Sequence, residues 1–210
     1  MIKIIGINGS ARKGKNTAKM IQTALYEAKK LGCEAELLEL SDYRILFCTG
    51  CNHCLREHRC SQHDQDDMHK LAEKLLEADG IIIGSPVYLD NVTGQMKVFM
   101  DRCRWLKMVK PLLYGKAGGA LAHAALRNGG QELTNLAIVT FLMAHGLAVV
   151  GPIEEKGAMF PLGGVGSMFE SQKDGKVTWK RSVEADEIGI ETSKALGGNV
   201  ARLAIKLSEK

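Results

Sequence analysis

The stretch IKIIGINGSARKGKNTAKMIQTALYEAKKLG, residues 2–32, contains one complete unit of an α/β fold. Its first seven residues, IKIIGIN, form an apolar run typical of a buried strand, and GSARKGKNT is a polar loop rich in glycine. The residues that follow carry apolar side chains at helical spacing up to Gly32, where a glycine commonly ends a helix. Strand, loop and helix in this order predict the beginning of a parallel sheet.

The same alternation continues along the chain. Further strands are predicted at CEAELLEL, GIIIGSPVY, AGGALAHAA and LAVVG, and helices at DDMHKLAEKLLEAD, TGQMKVFMDRCRW and QELTNLAIVTFLMAHG. Strands that alternate with helices at this spacing imply right-handed crossovers. We therefore predict an α/β fold, with a doubly wound five-stranded parallel sheet and helices on both of its faces.

Ligands of such sheets bind beyond the carboxyl ends of the strands. Three loops are expected at that edge: Gly9–Thr17, Ser85–Gly94 and Ala124–Gly130. A cysteine-rich segment, residues 47–62, follows the second strand and is expected at the same edge. The sequence thus predicts that all four segments border one site.

The first of these loops has the composition of a phosphate site. Backbone N–H groups at a helix start, hydroxyl groups and positive charge together suit a phosphate. The residues that supply them are Ser10, Arg12, Lys13, Gly14, Asn16 and Thr17.

Two other interpretations of the loop exist. Gly9, Gly14 and Lys15 match the GxxxxGK pattern of a nucleoside-triphosphate P-loop, but Asn16 stands where Ser or Thr should contact magnesium. The third strand also lacks the terminal Asp that such an enzyme requires. The remaining alternative is a capped turn that binds no ligand.

Four of the six cysteines fall within the segment FCTGCNHCLREHRC: Cys48, Cys51, Cys54 and Cys60. Thiolates at CxxC spacing can converge on one ion or one cluster. Disulfides, a four-thiolate zinc site and an iron–sulfur cluster are the alternatives, and disulfides rank last because the chain opens on a strand-like run and not on a secretion signal. The CxxCxxC run with a nearby fourth cysteine favours a 4Fe–4S cluster, while several flanking histidines keep zinc open. Free or redox-active thiols are the third possibility. The other two, Cys33 and Cys103, are predicted to be buried as small apolar residues.

Composition bounds the remaining possibilities. The 210 residues, 45% of them hydrophobic, suit a single domain over residues 1–210. A net charge of +4, with both signs interspersed, gives little support to nucleic-acid binding. No apolar run is long enough to cross a bilayer, so we expect a cytoplasmic protein that binds no membrane.

The last third of the chain departs from the alternating pattern. We predict an excursion over residues 151–182, with a hairpin around Asp174 and Gly175, and a C-terminal helix over residues 183–208 that is interrupted or bent near Gly197 and Gly198. Asp101 and Arg102, on the third helix, are predicted to form a structural pair within or near that helix.

Several of these motifs, in this order, are typical of one family. IKIIGINGSARKGKNT, the cysteine tetrad, ADGIIIGSPVYLDNVTGQMKVFMDRC, and NGGQE followed by a long helix and HGLAVVG resemble the flavodoxin-like NAD(P)H-dependent FMN reductase superfamily. Within it the chain resembles the iron–sulfur flavoproteins of anaerobic microbes. The resemblance spans most of the chain and implies a flavodoxin-like fold.

The resemblance also implies which residues bind cofactors. The first loop would hold the FMN phosphate, the second would border the isoalloxazine ring and ribityl chain, and the third would approach the same flavin. The implied FMN-binding residues are Ser10, Arg12, Gly14, Asn16, Thr17, Pro86, Val87, Tyr88, Asn91, Gly94, Asn128, Gly129 and Gly130. The implied ligands of the 4Fe–4S cluster are Cys48, Cys51, Cys54 and Cys60.

The function expected from these centres is electron transfer between the cluster and FMN, and no separate catalytic side chain is predicted. Ferredoxin or NAD(P)H is the expected redox partner, with a small-molecule electron acceptor. The family also implies a homodimer or homotetramer. Two alternatives remain, namely an NAD(P)H-dependent FMN or quinone reductase without a cluster, and a zinc-stabilised module without enzymatic activity.

Overall fold

The computed structural model describes residues 1–154 and 162–209. Its strands are β1 (Lys3–Asn8), β2 (Glu34–Glu39), β3 (Gly80–Pro86), β4 (Ala117–Ala124), β5 (Ala148–Val149), β6 (Gly164–Ser167), β7 (Phe169–Lys173) and β8 (Lys176–Trp179). Its helices are α1 (Asn16–Lys30), α2 (Met68–Glu77), α3 (Gly94–Arg102), α4 (Trp105–Met108), α5 (Gln131–Ala144) and α6 (Glu187–Ser208). Within these residues no helix combines the length and apolar content that a membrane span needs.

The central sheet has the strand order β2-β1-β3-β4-β5, and every pairing in it is parallel. This order is that of a flavodoxin-like sheet, so the predicted doubly wound fold is confirmed. Its fifth position holds two short strands instead of one. β5 pairs with β4 at Ala117 and Gly118, and β6 pairs with the same strand from Leu121 to Ala124. Ala148–Val149 and Gly164–Ser167 therefore share the fifth position of the sheet.

The strand β6 corrects part of the sequence prediction. Residues 151–182 were expected to lie outside the core pattern, but Gly164–Ser167 belong to the central sheet. A Gly-rich, four-residue strand carries too little apolar periodicity to be recognised from sequence. The predicted hairpin around Asp174 and Gly175 is confirmed, since β7 and β8 pair antiparallel there. Residues 155–161 of the excursion lie outside the described residues.

Helices cover both faces of the sheet, because its strands carry isoleucine and alanine on both sides. Alternate residues such as Ile5 and Ile81 pack against α2, α3 and α5. Their neighbours Ile4 and Ile82 pack against α1 and α6 on the opposite face. Burial on both faces is what parallel sheets require.

The C-terminal helix α6 runs without interruption through Gly197 and Gly198, where a break or bend was predicted. A Cβ atom added at Gly197 would lie 2.5 Å from the carbonyl carbon of Ala24 and 2.6 Å from its Cα. The glycine therefore allows the backbones of α1 and α6 to approach each other closely. Its role is close helix packing and not helix termination.

Candidate flavin and cysteine sites

The first loop follows β1 and leads directly into α1. Ser10 and Thr17 are buried, Asn16 is half-buried, and Arg12 and Gly14 are exposed. The Ser10 hydroxyl accepts a hydrogen bond from the backbone N–H of Arg12 at 3.1 Å, which fixes the turn. No described side chain caps the first turn of α1, so its N–H groups remain available to an anion.

A buried carboxylate that the sequence reasoning missed stabilises this loop. Glu39, at the end of β2, accepts hydrogen bonds from Asn8 Nδ2 at 2.5 Å and from the backbone N–H of Gly14 at 3.0 Å. Its signal in the sequence was an acidic residue that follows the two apolar residues Leu37 and Leu38 at the carboxyl end of the strand. Because the backbone N–H of Gly14 already donates to Glu39, an anion bound here would rely on the N–H groups of the first turn of α1 and on Arg12.

The second loop leaves β3 at Pro86 and turns sharply. Tyr88 and Asn91 exchange two backbone hydrogen bonds across Leu89 and Asp90, and both central residues have positive φ. Two successive left-handed residues define a type I′ turn, in which leucine is strained. Leu89 is fully exposed and Tyr88 half-exposed, so this turn projects apolar surface into solvent. The other predicted residues of this loop differ in exposure: Pro86 is buried, Val87 is half-buried, and Asn91 and Gly94 are exposed.

The first and second loops are joined by hydrogen bonds. Thr93 caps α3 by accepting from the N–H of Met96, and its hydroxyl donates to the carbonyl oxygen of Gly9 at 2.6 Å. Gln95 Nε2 donates to the same oxygen at 3.0 Å. These contacts hold the start of α3 against the first loop, Gly9–Thr17, which we call the phosphate-type loop.

The third loop, which contains Asn128, Gly129 and Gly130, contacts the second. Gly130 has a φ of 92°, and an added Cβ there would lie 2.8 Å from Asp90 Cα. Gln131 supports the loop by accepting from the N–H of Gly129 and donating to the carbonyl oxygen of Leu126. All three predicted loops thus meet at the carboxyl edge of the sheet.

One histidine at this edge was not predicted as a site residue. His123, near the end of β4, is 5% exposed, and its Nε2 has no hydrogen-bond partner among the described residues. Burial lowers the pKa of His123 to about 4, against a smaller opposing effect of Asp186. The ring is therefore neutral at physiological pH. Nothing in the sequence around His123 indicates that this histidine is buried and neutral.

A cavity of about 400 Å³ lies beside the third loop, between the beginnings of α5 and α6. Asn128 and Gln131 line it from one side, and Ser167 and Asp186 from the other. Asp186 is itself fixed by hydrogen bonds from the N–H of Ser167 and from Lys180. Sequence reasoning missed this cavity because it assigned Ser167 to the excursion.

The four predicted cysteine ligands line one small cavity between the loop and the end of α3. Cys48 and Cys51 are exposed, Cys54 and Cys60 are half-buried, and all four are free thiols. Across residues 1–154 and 162–209, no three His, Cys, Asp or Glu side chains are grouped closely enough to bind a single metal ion. The cysteines therefore share a cavity wall without forming a closed tetrahedral site.

Hydrogen-bond donors surround one of these sulfurs. A hydrogen bond with the Ser61 hydroxyl, and a weaker one from the backbone N–H of His53, lower the pKa of the Cys51 thiol. Hydrogen bonds to the charged form favour a thiolate, which is the form that binds iron or zinc. The environment of Cys51 therefore suits a metal-binding sulfur.

Cys33 and Cys103 are confirmed as buried residues outside this cavity. Burial raises the pKa of both thiols, and most strongly that of Cys103. Both thiols therefore remain protonated at neutral pH and act as small apolar side chains.

The predicted pairing of Asp101 with Arg102 is wrong. Asp101 pairs with Lys97 on the surface of α3, whereas Arg102 turns inward and pairs with Asp66. Successive helical residues point about 100° apart, so neighbours in sequence do not face each other. The side chain of Asp66 is fully buried, and burial alone would raise its pKa. Hydrogen bonds from Arg102, Leu46 N–H and Met68 N–H nevertheless hold the pKa of Asp66 below its ordinary value.

Comparison with known proteins identifies the family. The model of the NADPH-dependent FMN reductase family matches residues 2–154. An iron-sulfur flavoprotein of Methanocaldococcus jannaschii is 39% identical over 209 residues, covering 100% of both chains. An iron-sulfur flavoprotein of Archaeoglobus fulgidus is 37% identical over 205 residues, covering 97% of this chain and 96% of the relative.

The fold is also found among solved structures. The crystal structure of RosB with its bound intermediate, 8-demethyl-8-formylriboflavin-5'-phosphate, superposes with a TM-score of 0.70 at 18% identity, covering 100% of this chain and 81% of that one. At this identity the match establishes a common fold only. The family model covers more than half of the chain, and the two relatives match nearly all of it. The chain therefore belongs to the NADPH-dependent FMN reductase family.

Proposed function

We propose that this protein is an oxidoreductase that binds FMN and a 4Fe–4S cluster and passes electrons between them. The observation that carries the proposal is the presence of two chemically different sites at the two ends of α3. At the far end lies a cavity lined by four free cysteines, and at the near end lie three loops, of which the second contacts both the first and the third. The names of two relatives that match nearly the whole chain support the same combination.

The residues of the three loops suit a phosphorylated flavin. We assign the phosphate to the first turn of α1, with the N–H groups of Asn16 and Thr17, the Ser10 hydroxyl and the positive charge of Arg12. The planar ring is assigned to the space between the second and third loops, which Tyr88 and Asn128 border. Pro86, Val87, Asn91, Gly94, Gly129 and Gly130 complete the proposed flavin site.

The cysteine cavity suits a thiolate-bound cluster. Four cysteines from one short segment line it, and Ser61 and backbone N–H groups supply hydrogen bonds to Cys51. We assign Cys48, Cys51, Cys54 and Cys60 as its ligands. Two of them, Cys54 and Cys60, also pack against the apolar core, which ties the cavity to the body of the fold.

The chemistry divides between the cofactors and the chain. When bound, the cluster exchanges single electrons and FMN exchanges one or two, so together they connect one-electron and two-electron partners. The residues of the chain bind and orient the two groups and shield them from water. The cavity beside Asn128 is large enough for part of a small-molecule electron acceptor, which we propose as one partner.

Other parts of the proposal concern partners and assembly. We propose ferredoxin or a nicotinamide as electron donor, and a cytoplasmic setting, which keeps free thiols reduced. We also propose a homodimer or homotetramer, because α5 exposes Leu133, Leu136 and Met143 on its outer surface. Light scattering of the purified protein would test the assembly, and a monomeric mass would contradict it.

The first test is the cofactor content of protein purified without oxygen. Iron, acid-labile sulfide, zinc and flavin are measured per chain in the wild type, in Cys54→Ser and in Cys33→Ala. We expect about four irons and one FMN in the wild type. Cys54→Ser should lose iron and keep FMN, whereas the control Cys33→Ala should keep both, since Cys33 is buried away from the cavity.

The alternative functions give different results in the same experiment. FMN without iron, together with rapid oxidation of NAD(P)H, would contradict the cluster and favour a simple FMN or quinone reductase. Stoichiometric zinc without flavin would favour a structural zinc module. Equal iron loss in Cys54→Ser and Cys33→Ala would contradict the assignment of the ligands.

A further inference from the structure

Arg102 is a fully buried cation beside the cysteine cavity. It is 2% exposed and lies at the last residue of α3. Its Nη1 donates to the carbonyl oxygen of Leu46 at 2.8 Å and to the Asp66 carboxylate, and its Nη2 donates to the other oxygen of that carboxylate at 3.3 Å. Such a bidentate pair fixes the plane and position of the guanidinium.

These bonds leave part of the donor capacity of Arg102 unused. Its Nε is buried and has no hydrogen-bond partner among the described residues. Arg102 lines the same cavity as the four cysteines, and Cys60 lies beside its guanidinium. A buried N–H donor without a partner costs free energy, so its retention beside a cavity lined by four cysteines needs an explanation.

We propose that Arg102 is a positioning residue for the cluster, which holds Cys60 in place as a ligand and stabilises the added negative charge of the reduced cluster. This inference rests on the proposed function. Arg102 connects Leu46, which precedes the cysteine segment, with Asp66, which follows it, and so closes the base of the loop. Arg102 and Cys60 line the same cavity, where Arg102 Nε has no other partner among the described residues.

The burial of Arg102 makes its charge effective. Arg102 lines the cysteine cavity and Asp66 does not, so the ion pair presents its positive end to a bound cluster. A positive end fixed in a buried site would lower the free energy of the reduced cluster more than the same charge in water. Arg104 offers a comparison, because it lines the same cavity but is only half-buried and bonds to Asn52. Solvent screens its charge, so it should influence the cluster much less.

The test compares variants of these two arginines. Arg102→Gln alone would leave the buried Asp66 carboxylate unpaired and could prevent folding, so the neutral pair Asp66→Asn/Arg102→Gln is used. Arg102→Lys retains the charge without the planar fork, and Arg104→Gln is the matched control. Each protein is purified without oxygen, and its iron content, rate of iron loss to EDTA and cluster reduction potential are measured, with circular dichroism and bound FMN as checks of folding.

We expect the neutral pair to weaken stabilisation of the reduced cluster at least tenfold, which is a potential about 59 mV more negative for a one-electron couple. Its iron should be lost to EDTA several-fold faster. Arg102→Lys should recover the potential but not the rate of iron loss, and Arg104→Gln should resemble the wild type in both.

Failure of this inference can be distinguished from failure of the proposed function. A wild-type protein without iron would contradict the proposed function itself. A wild type with a cluster, and a neutral pair with unchanged potential and iron loss, would overturn only the role of Arg102. If the neutral pair does not fold, Arg102→Lys decides, because iron loss as slow as in the wild type would overturn the positioning role.

Discussion

Two neighbouring glycines of α6 should respond in opposite ways to the same substitution. In a helix interior, replacing glycine by alanine gains about 1 kcal/mol from helix propensity. At Gly198 the atoms nearest to the added Cβ would belong to the guanidinium of Arg202, at 3.2 Å, which is the far end of a flexible side chain. Gly198→Ala should therefore stabilise the protein by about 0.5 to 1 kcal/mol.

At Gly197 the obstacle is backbone. The added Cβ would lie 2.5 Å from the carbonyl carbon of Ala24, against an ordinary carbon–carbon contact of about 3.5 Å, so α1 and α6 would have to separate by about 1 Å. A gap of that size removes about a quarter to a half of the dispersion energy of each contact along the helix pair. The overpacking penalty, about 3 kcal/mol or more, exceeds the gain in helix propensity. We expect Gly197→Ala to destabilise the protein by about 2 kcal/mol.

Thermal unfolding followed by circular dichroism measures both effects. For a chain of this length about 1 kcal/mol corresponds to about 2–4 °C, so Tm should fall by about 4–8 °C in Gly197→Ala and rise by a few degrees in Gly198→Ala. Flavin concentration must be fixed, because a ligand that binds the folded state raises Tm. A Gly197→Ala variant as stable as Gly198→Ala would refute the close approach of α1 and α6.

Three further substitutions test individual features. Leu89→Asn should raise the free energy of unfolding by about 1 kcal/mol in urea titrations, because asparagine tolerates positive φ better than leucine, and a loss of stability would argue against a strained turn. Gly130→Ala should weaken FMN binding at least tenfold in fluorescence titrations, while Gly115→Ala, which has positive φ but open space around it, should lower stability only. His123 has a folded-state pKa of about 4, so the unfolded state binds more protons between pH 4 and 6.5, and stability is lost as pH falls through that range. His123→Gln should remove about 3 kcal/mol of this loss. An NMR titration midpoint of His123 near pH 6.5 would contradict this prediction.

The parts of the fold that the sequence predicted are those with local signals. The run IKIIGIN, the polar loop after it and the helix ending near Gly32 each carry a periodicity or a turn residue of their own. The clustering of four cysteines within thirteen residues is local in the same sense. These features needed no knowledge of distant contacts.

The parts that were missed depend on contacts between distant residues. Arg102 pairs with Asp66, 36 positions away, and nothing in either neighbourhood marks the partner. Gly197 was predicted to break the helix, but a glycine is needed there because the backbone of Ala24, in another helix, leaves no room for a side chain. That contact cannot be read from the sequence around Gly197. The strand Gly164–Ser167 is formed by pairing with β4, not by its own residues, whose preference for a strand is weak.

The helix α3 has a consequence for the distance between the two sites. Its capping residue Thr93 is bonded to the carbonyl oxygen of Gly9 in the phosphate-type loop, and its last residue, Arg102, lines the cysteine cavity. Nine helical residues span about 14 Å at the rise of an α-helix. The helix therefore acts as a rigid spacer that sets the separation of the two sites, and the rate of electron tunnelling depends steeply on such a separation. Inserting or deleting one residue in α3 would change this distance and also rotate Arg102 away from Cys60.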